Sequence, residues 1–173
     1  MAAETAPSVV PYRGRVDLLI RAARVDDAEA IAAVRARSWR ESYAHILSPE
    51  FLAALDPTAG VAGLRAAIGR GVTMPVAEVD DEVRGFAIAG PAREDDAPRD
   101  LELGLIYQLA SLHGSGSGQA LLDSAIADRS AFLWVAELNP RAIAFYRRNG
   151  FEADGVHKVS AEWENLAEIR MVR

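Results

Sequence analysis

A glycine- and serine-rich segment is the first feature of this sequence whose spacing suits chemistry. It reads "HGSGSGQA" from His113 to Ala120, after the apolar run "LELGLIYQLA" and directly before an alanine-rich run. Glycines let the backbone approach an anion without a Cβ clash, and the first N–H groups of a helix are unpaired at the positive end of its dipole. A strand, a glycine turn and a helix in this order therefore predict an anion-binding loop.

Two common phosphate-binding patterns do not fit this loop. A P-loop needs Lys and then Ser or Thr after its last glycine, whereas Gly118 is followed by Gln119 and Ala120. A dinucleotide fingerprint needs a third glycine where this chain has Gln119 or Leu121. A solvated Gly/Ser turn is the plain alternative, and the position of the loop between two strongly apolar runs argues against it.

The composition excludes several classes of function. The chain has 173 residues, a net charge of −6 and no cysteine. One domain of this length buries a substantial core, and an acidic chain is a poor candidate for binding nucleic acid. Disulfides, thiolate zinc sites and cysteine nucleophiles are ruled out. The 3 histidines are scattered without metal-ligand spacing, so no metal is predicted.

The ends of the chain and its hydropathy bear on location and domain organisation. No apolar run approaches the roughly 18 residues that span a bilayer, and residues 1–15 lack the apolar region of a signal peptide. We therefore expect a cytoplasmic protein without membrane partners. Residues 1–16 are predicted to form a flexible N-terminal arm, and residues 17–173 a single domain.

The elements that must position the loop follow from periodicity and capping residues. The predicted order is β-α-α-α-β-β-β-α-β-α-β-β, with a hairpin around Asp80 and Asp81. A short late helix has clear boundary signals, since Asn139 is a preferred cap, Pro140 suits the first turn and Gly150 follows the end. This order predicts an α/β fold with a mixed sheet and helices on its faces.

Two blocks of the sequence resemble the GCN5-related N-acetyltransferases (GNAT). The pyrophosphate loop of that family reads Arg/Gln-x-x-Gly-x-Gly/Ala between a strand and a helix, and His113–Gly118 follows it except that His113 replaces Arg or Gln. The segment "ELNPRAIAFYRRNGFEADG" resembles the family's Asn-x-x-Ala-x-x-Phe-Tyr-x-x-x-Gly-Phe block. The opening "LLIRAARVDDAEAIAAV" and the closing "IRMVR" also fit, so the resemblance runs from about Leu18 to the end of the chain.

The resemblance implies a fold and a donor site. The fold is the GNAT-type acyl-CoA N-acyltransferase fold, a mixed sheet with helices on both faces and a splay between the fourth and fifth strands. Acetyl-CoA is the implied cosubstrate, with its pantetheine arm along the fourth strand and its pyrophosphate on the glycine loop. The implied acetyl-CoA-binding residues are Gln108, Leu109, Ala110, His113, Gly114, Ser115, Gly116, Ser117, Gly118, Gln119 and Asn139.

The resemblance also implies a reaction, in which a primary amine attacks the thioester directly. Tyr146 corresponds to the family's general acid, and Glu102 is the candidate general base. Trp39 and Tyr43 are four residues apart on the first helix and are candidates for the acceptor pocket. Each residue also has a plain interpretation, since helical aromatic residues often only pack and a strand glutamate is often only solvated.

Two functions from different classes remain open. The first is an acetyl-CoA-dependent N-acetyltransferase whose acceptor is an amine of a small molecule, peptide or protein. The second is a GNAT-like module that binds acyl-CoA without catalysis, as a sensor or scaffold, and the replacement by His113 keeps this alternative in view. Dimers are frequent in the family, so a homodimer is the candidate assembly.

Overall fold

The structure, a computed structural model, describes residues 8–10 and 18–173. No helix in this described part of the chain is long and apolar enough to cross a membrane. The helices are α1 (Ala28–Ser42), α2 (Pro49–Ala54), α3 (Val61–Gly69), α4 (Ser117–Ile126) and α5 (Pro140–Arg148). The strands are β1 (Ser8–Val10), β2 (Leu18–Ala22), β3 (Pro75–Val79), β4 (Glu82–Pro91), β5 (Leu101–Gln108), β6 (Phe132–Ala136), β7 (Glu152–Ser160) and β8 (Leu166–Val172).

The strands form one mixed sheet in the order β1-β2-β3-β4-β5-β6-β8-β7. Neighbouring strands are antiparallel except β5 and β6, which are parallel and register through Glu102 and Phe132. Among the described residues of β5 and β6, Glu102 and Phe132 form the one paired position, so the two strands separate beyond it. The predicted mixed sheet and its splay are confirmed, and the splayed strands are the fifth and sixth because β1 precedes them.

The N-terminal strand lies within the predicted arm. The backbone of Ser8–Val10 pairs antiparallel with Leu18–Ile20 at the edge of the sheet. The other residues of the predicted arm, 1–7 and 11–16, lie outside the described residues. The flexible arm and the domain boundary at residue 17 therefore stay predictions.

Helices cover both faces of the sheet, as the resemblance implied. Side chains alternate along a strand, so Val76 and Phe86 face α1 and α3, while Ala77 and Ala87 face α4. Both layers are closed by apolar side chains with little or no exposure, among them Ile31 of α1. The two covered faces flank β5 and β6, which lie on either side of the gap.

The predicted hairpin joins β3 to β4 through Asp80 and Asp81. Both residues have left-handed backbones, with φ of 53° and 62°. A two-residue turn with positive φ at both positions matches the twist of antiparallel strands, and aspartate tolerates this conformation better than most residues. The hairpin sets the register of β4, against which β5 is paired.

Candidate active site

A cavity of about 820 Å³ lies at the gap between β5 and β6. The end of α1, the glycine loop, α5, β7 and β8 complete its walls. Eleven of the predicted site residues line it: Trp39, Tyr43, Glu102, Gln108, His113, Gly114, Gly116, Gly118, Gln119, Asn139 and Tyr146. The predicted residues Leu109, Ala110, Ser115 and Ser117 are not among the lining residues.

The glycine loop forms an open cradle at the start of α4. Gly114 and Gly116 have φ of +81° and +88°, and a Cβ on either glycine would meet no atom within 4 Å. The N–H groups of Gly118 and Gln119 lie in the first turn of α4, where no intrahelical carbonyl is available to them. Open space, left-handed glycines and unpaired first-turn donors suit an anionic group such as a pyrophosphate.

The two loop serines support this cradle from within. Ser115 Oγ donates to the carbonyl of Leu112 at 2.7 Å and accepts the N–H of Ser117 at 3.1 Å. Ser117, which is fully buried, donates from Oγ to Gln108 Oε1 at 2.6 Å. The hydroxyl groups of Ser115 and Ser117 are thus bonded to other groups of the protein, which helps to hold the shape of the loop.

The backbone donors at the end of β5 are also engaged. Leu109 N–H donates to the carbonyl of Arg84 at 2.9 Å, and Leu109 packs in the core beside α1. Ala110 N–H donates to Glu41 Oε2 at 2.6 Å. Glu41 comes from α1 and lines the cavity, so the Ala110 amide becomes available to a ligand only when the Glu41 carboxylate moves away.

His113, where the sequence departs from the family pattern, has a cationic neighbour. The Arg141 guanidinium of α5 donates a hydrogen bond to His113 Nδ1. Burial and the Arg141 charge hold the pKa of His113 below its ordinary value of 6.5, although Glu41 opposes this shift. A guanidinium only donates, so Nδ1 accepts and the proton of the neutral ring is on Nε2. At neutral pH the charge beside the loop therefore belongs to Arg141.

The predicted capping residues place Tyr146 in the cavity. Asn139 Oδ1 accepts the N–H of Ala142 at 3.1 Å, so α5 begins where the sequence predicts. Tyr146 is 8% exposed and makes ring contacts with Phe145 and Phe151. Its ring thus packs in the core, as the plain interpretation held, while the residue also lines the cavity. Burial raises the pKa of Tyr146 well above its ordinary value, so the phenol keeps its proton.

Glu102 lies at the start of the gap and carries a counter-ion. Glu102 as a whole residue is 9% exposed, and its carboxylate accepts two hydrogen bonds from Arg93, each at 3.1 Å. The Arg93 side chain is 79% exposed, whereas that of Glu102 is 11% exposed. The carboxylate is therefore fixed in the wall of the cavity, and its partner is a surface side chain that is free to move aside.

Comparison with known proteins agrees with this geometry. Residues 70–153 match the model of the acetyltransferase (GNAT) domain. The uncharacterized N-acetyltransferase YuaI of Bacillus subtilis (strain 168) is 30% identical over 167 residues, which cover 87% of this chain and 95% of YuaI. This chain belongs to the GNAT family of acetyltransferases.

Two solved structures share the fold of this GNAT domain. One is the PaiA N-acetyltransferase from Thermoplasma acidophilum, with a TM-score of 0.68, 20% identity, and coverage of 91% of this chain and 98% of PaiA. The other is YncA from Salmonella typhimurium, with a TM-score of 0.66, 19% identity, and coverage of 90% and 92%. At these identities the likeness establishes the architecture.

Part of the cavity wall in this GNAT domain is aromatic. Trp39 stacks on Tyr43 with ring centroids 4.9 Å apart, and Trp163 meets Trp39 edge-on at 5.2 Å. Tyr43 follows the last residue of α1, and its N–H donates to the Trp39 carbonyl, which keeps the two rings on one face. Burial raises the pKa values of Tyr43 and of the neighbouring Tyr107, so both phenols stay protonated.

The GNAT cavity contains functional groups that the sequence analysis missed. Glu168 of β8 is 7% exposed, lines the cavity and accepts a hydrogen bond from Ser160 Oγ at 2.7 Å. The sequence around Glu168 predicts only a strand near the end of the chain, and no local pattern marks Glu168 as a site residue. Within the described residues, no cluster of three or more His, Asp or Glu side chains is placed to bind a metal.

Proposed function

We propose that this GNAT protein is an N-acetyltransferase that transfers the acetyl group of acetyl-CoA directly to a primary amine. One observation carries the proposal: the open glycine cradle, the buried Tyr146 phenol and the buried Glu102 carboxylate line a single cavity. The two structural neighbours named above support the donor, since PaiA is a complex with coenzyme A and YncA a complex with acetyl-CoA.

The donor end of the cavity holds the anionic part of the cosubstrate. The first-turn N–H groups of Gly118 and Gln119 donate to the pyrophosphate, and the Arg141 guanidinium adds a permanent positive charge. Gln108 supports the loop through Ser117, and Asn139 starts the helix that carries Tyr146. Acetyl-CoA, when bound, supplies an activated acetyl thioester.

Tyr146 is the proposed general acid. Its raised pKa keeps the phenol protonated through the neutral range, so the residue acts as a proton or hydrogen-bond donor. The group that requires a donor at the end of the transfer is the departing thiolate. Burial also keeps water away from this donor, which strengthens its hydrogen bond to a developing negative charge.

Glu102 is the proposed general base. An acceptor enters as an ammonium and must lose a proton before its nitrogen attacks, and a carboxylate fixed in the cavity wall is placed to accept it. The Arg93 counter-ion is largely exposed, and an incoming ammonium replaces it without leaving Glu102 unpaired. This exchange favours acceptors that carry a positive charge.

The acceptor end combines an aromatic wall with buried carboxylates. Trp39, Tyr43 and Trp163 offer ring faces and edges, and Glu168 adds a second negative charge. Such a surface suits an ammonium next to an apolar body, because cations bind both carboxylates and aromatic faces. A small-molecule amine and a peptide or protein amine both meet this description.

Two measurements test the proposal together. Titration of acetyl-CoA by calorimetry is expected to show one site per chain, and a screen of primary amines with thiol-release detection is expected to find turnover. Binding without turnover for any amine would favour the alternative, an acyl-CoA sensor or scaffold. Absence of binding at high acetyl-CoA concentration would contradict both. A cytoplasmic location and a homodimer stay predictions, the second to be checked by light scattering.

A further inference from the structure

Lys158 is the single lysine in the whole sequence. Lysine and arginine together number 19, and every other member of this set is arginine. The side chain of Lys158, which starts from β7, lines the same cavity as the glycine cradle and Tyr146. The one lysine amine of the chain is therefore inside the cavity in which an amine is acetylated under the proposed function.

Three groups hold the Lys158 ammonium in place. Its Nζ is 4.1 Å from the ring centroid of Trp134, 3.8 Å from Glu94 Oε1 and 3.9 Å from Glu168 Oε2. Glu94 is itself fixed, because Trp134 Nε1 donates to its Oε1 at 2.8 Å. An aromatic face and two carboxylates are the partners expected around a bound primary ammonium. Lys158 thus has the surroundings of an acceptor amine.

The Lys158 side chain reaches the strand that forms one wall of the gap. In the sheet, Lys158 is opposite Glu168 of β8, and Glu168 is opposite Ala136 of β6. Two strand spacings of about 4.8 Å separate β7 from β6. Because its Nζ lies over Trp134 of β6, the side chain spans this distance and brings its amine to the wall opposite β5. The side chain is 39% exposed, so it has room to move along the cavity.

We propose that Lys158 is an internal acceptor, acetylated in cis by the chain that carries it. The inference rests on the proposed function. The ammonium gives one proton to the Glu168 carboxylate, which lines the cavity and lies 3.9 Å from Nζ. The neutral nitrogen then forms a bond to the acetyl carbonyl carbon, and the carbon–sulfur bond breaks. As the thiolate leaves it takes the proton of Tyr146 and departs as the thiol of coenzyme A. The second proton of the nitrogen returns to the Tyr146 phenolate, and the proton on Glu168 passes to solvent.

Acetylation removes the positive charge of the Lys158 amine. The amide no longer pairs with Glu168 and no longer binds the Trp134 face as a cation. The Glu168 carboxylate then becomes available to an ammonium from outside. Before self-acetylation the Lys158 ammonium occupies this part of the cavity, and after it the cavity is open to an amine from outside.

The experiment is an acetylation time course without any added acceptor. The folded full-length chain is incubated with acetyl-CoA, and intact mass together with peptide mapping follows the acetyl group, which separates Lys158 from the α-amine. We expect one acetyl group on Lys158, at a rate per chain that is unchanged when the protein is diluted. Lys158→Arg keeps the charge and is expected to gain no acetyl group at this position while it binds acetyl-CoA normally.

Two controls separate enzymatic from chemical acetylation. Tyr146→Phe is expected to slow acetylation of Lys158 by at least about tenfold, and the urea-unfolded chain is expected to react more slowly than the folded one. Equal rates in these controls would overturn the inference, as would a rate per chain that falls on dilution. If an amine screen shows turnover while Lys158 stays unmodified, the inference fails and the proposed function stands. If acetyl-CoA does not bind, the proposed function itself has failed.

Discussion

The Arg141 guanidinium of α5 donates a hydrogen bond to Nδ1 of His113, in the loop that precedes α4. This contact joins the two sequence blocks that resemble the family, which are 28 residues apart at these positions. The loop has a histidine where the family pattern has Arg or Gln, and helix α5 places the guanidinium of Arg141 beside it. We therefore propose that donor binding by this chain is shared between the two blocks.

Replacement of Arg141 by alanine tests this division of roles. Arg141→Ala is expected to weaken acetyl-CoA binding by about tenfold, or about 1.4 kcal/mol, because the loop loses its permanent charge. Calorimetric Kd values provide the measurement. Arg147→Ala is the matched control, since Arg147 is on the same helix but does not line the cavity. Equal Kd values for the Arg141 variant and the wild type would show that Arg141 does not contact the donor.

The pH dependence of stability tests the environment of His113. Its pKa in the folded chain is below 6.5, so below about pH 6.5 the unfolded chain binds a proton that the folded chain resists. The free energy of unfolding is therefore expected to fall as the pH decreases through this range. Urea unfolding measures this free energy. His113→Gln should abolish the part of its decrease that His113 causes, and replacement of the exposed His157 by Gln should not. An identical decrease in wild type and His113→Gln would contradict the assignment.

Tyr146→Phe separates the acid role from the packing role. The ring that contacts Phe145 and Phe151 is kept, and only the hydroxyl is lost. We expect kcat to fall by about 10²-fold or more while the Kd for acetyl-CoA and the melting temperature change little. Steady-state kinetics with an acceptor from the amine screen provide the measurement. Wild-type kcat in the variant would leave Tyr146 as a core residue only.

A pair of isosteric changes tests which buried carboxylate is the base. Glu102→Gln is expected to lower kcat by about 10²-fold at neutral pH, because the amide does not accept the acceptor's proton. Glu168→Gln is the matched comparison, since Glu168 lines the same cavity and is similarly buried. Its expected effect is on KM through weaker acceptor binding. The opposite result, with kcat lost only in the Glu168 variant, would transfer the base role to Glu168.

The cradle is tested by substitutions that separate backbone strain from blocked space. Gly116→Val places a β-branched residue at φ of +88°, and Gly71→Val places one at φ of +78° outside the cavity. Both should lose about 1–2 kcal/mol of stability, and Gly116→Val alone should lose acetyl-CoA affinity. Asparagine tolerates the left-handed backbone, so the acetyl-CoA affinity of Gly116→Asn should lie between those of the wild type and Gly116→Val. Unchanged Kd values for Gly116→Val would refute the cradle.

Local patterns predicted much of the fold, and eleven of the fifteen predicted site residues line the cavity. The cap at Asn139 and the two-residue turn at Asp80 and Asp81 each appear where the sequence indicates, because these features depend on neighbours within a few residues. The glycine loop is also predictable from local sequence, because the glycines with left-handed φ and the helix that follows them are adjacent in the chain. The order of elements predicted the mixed sheet, and the resemblance to the family implied the gap in it.

Contacts between distant segments were not predictable in this way. The hydroxyl groups of Ser115 and Ser117 bond to the Leu112 carbonyl and to Gln108, which no local pattern indicates. Contact of these two residues with the donor stays a prediction. Glu168 and Lys158 carry no local signal, since each is an ordinary residue of its strand. Their positions in the cavity depend on the register of β7 and β8 beside β6.

The sequence by itself determined the family, the glycine loop before α4 and the position of Tyr146 on α5, because each depends on short-range spacing along the chain. Only the tertiary structure decided which charges meet. It placed Arg141 beside His113, Arg93 on Glu102, and the single lysine over Trp134 in the cavity. Electrostatic interactions act through space between residues far apart in sequence, so the partners of each charge depend on how the sheet and helices assemble.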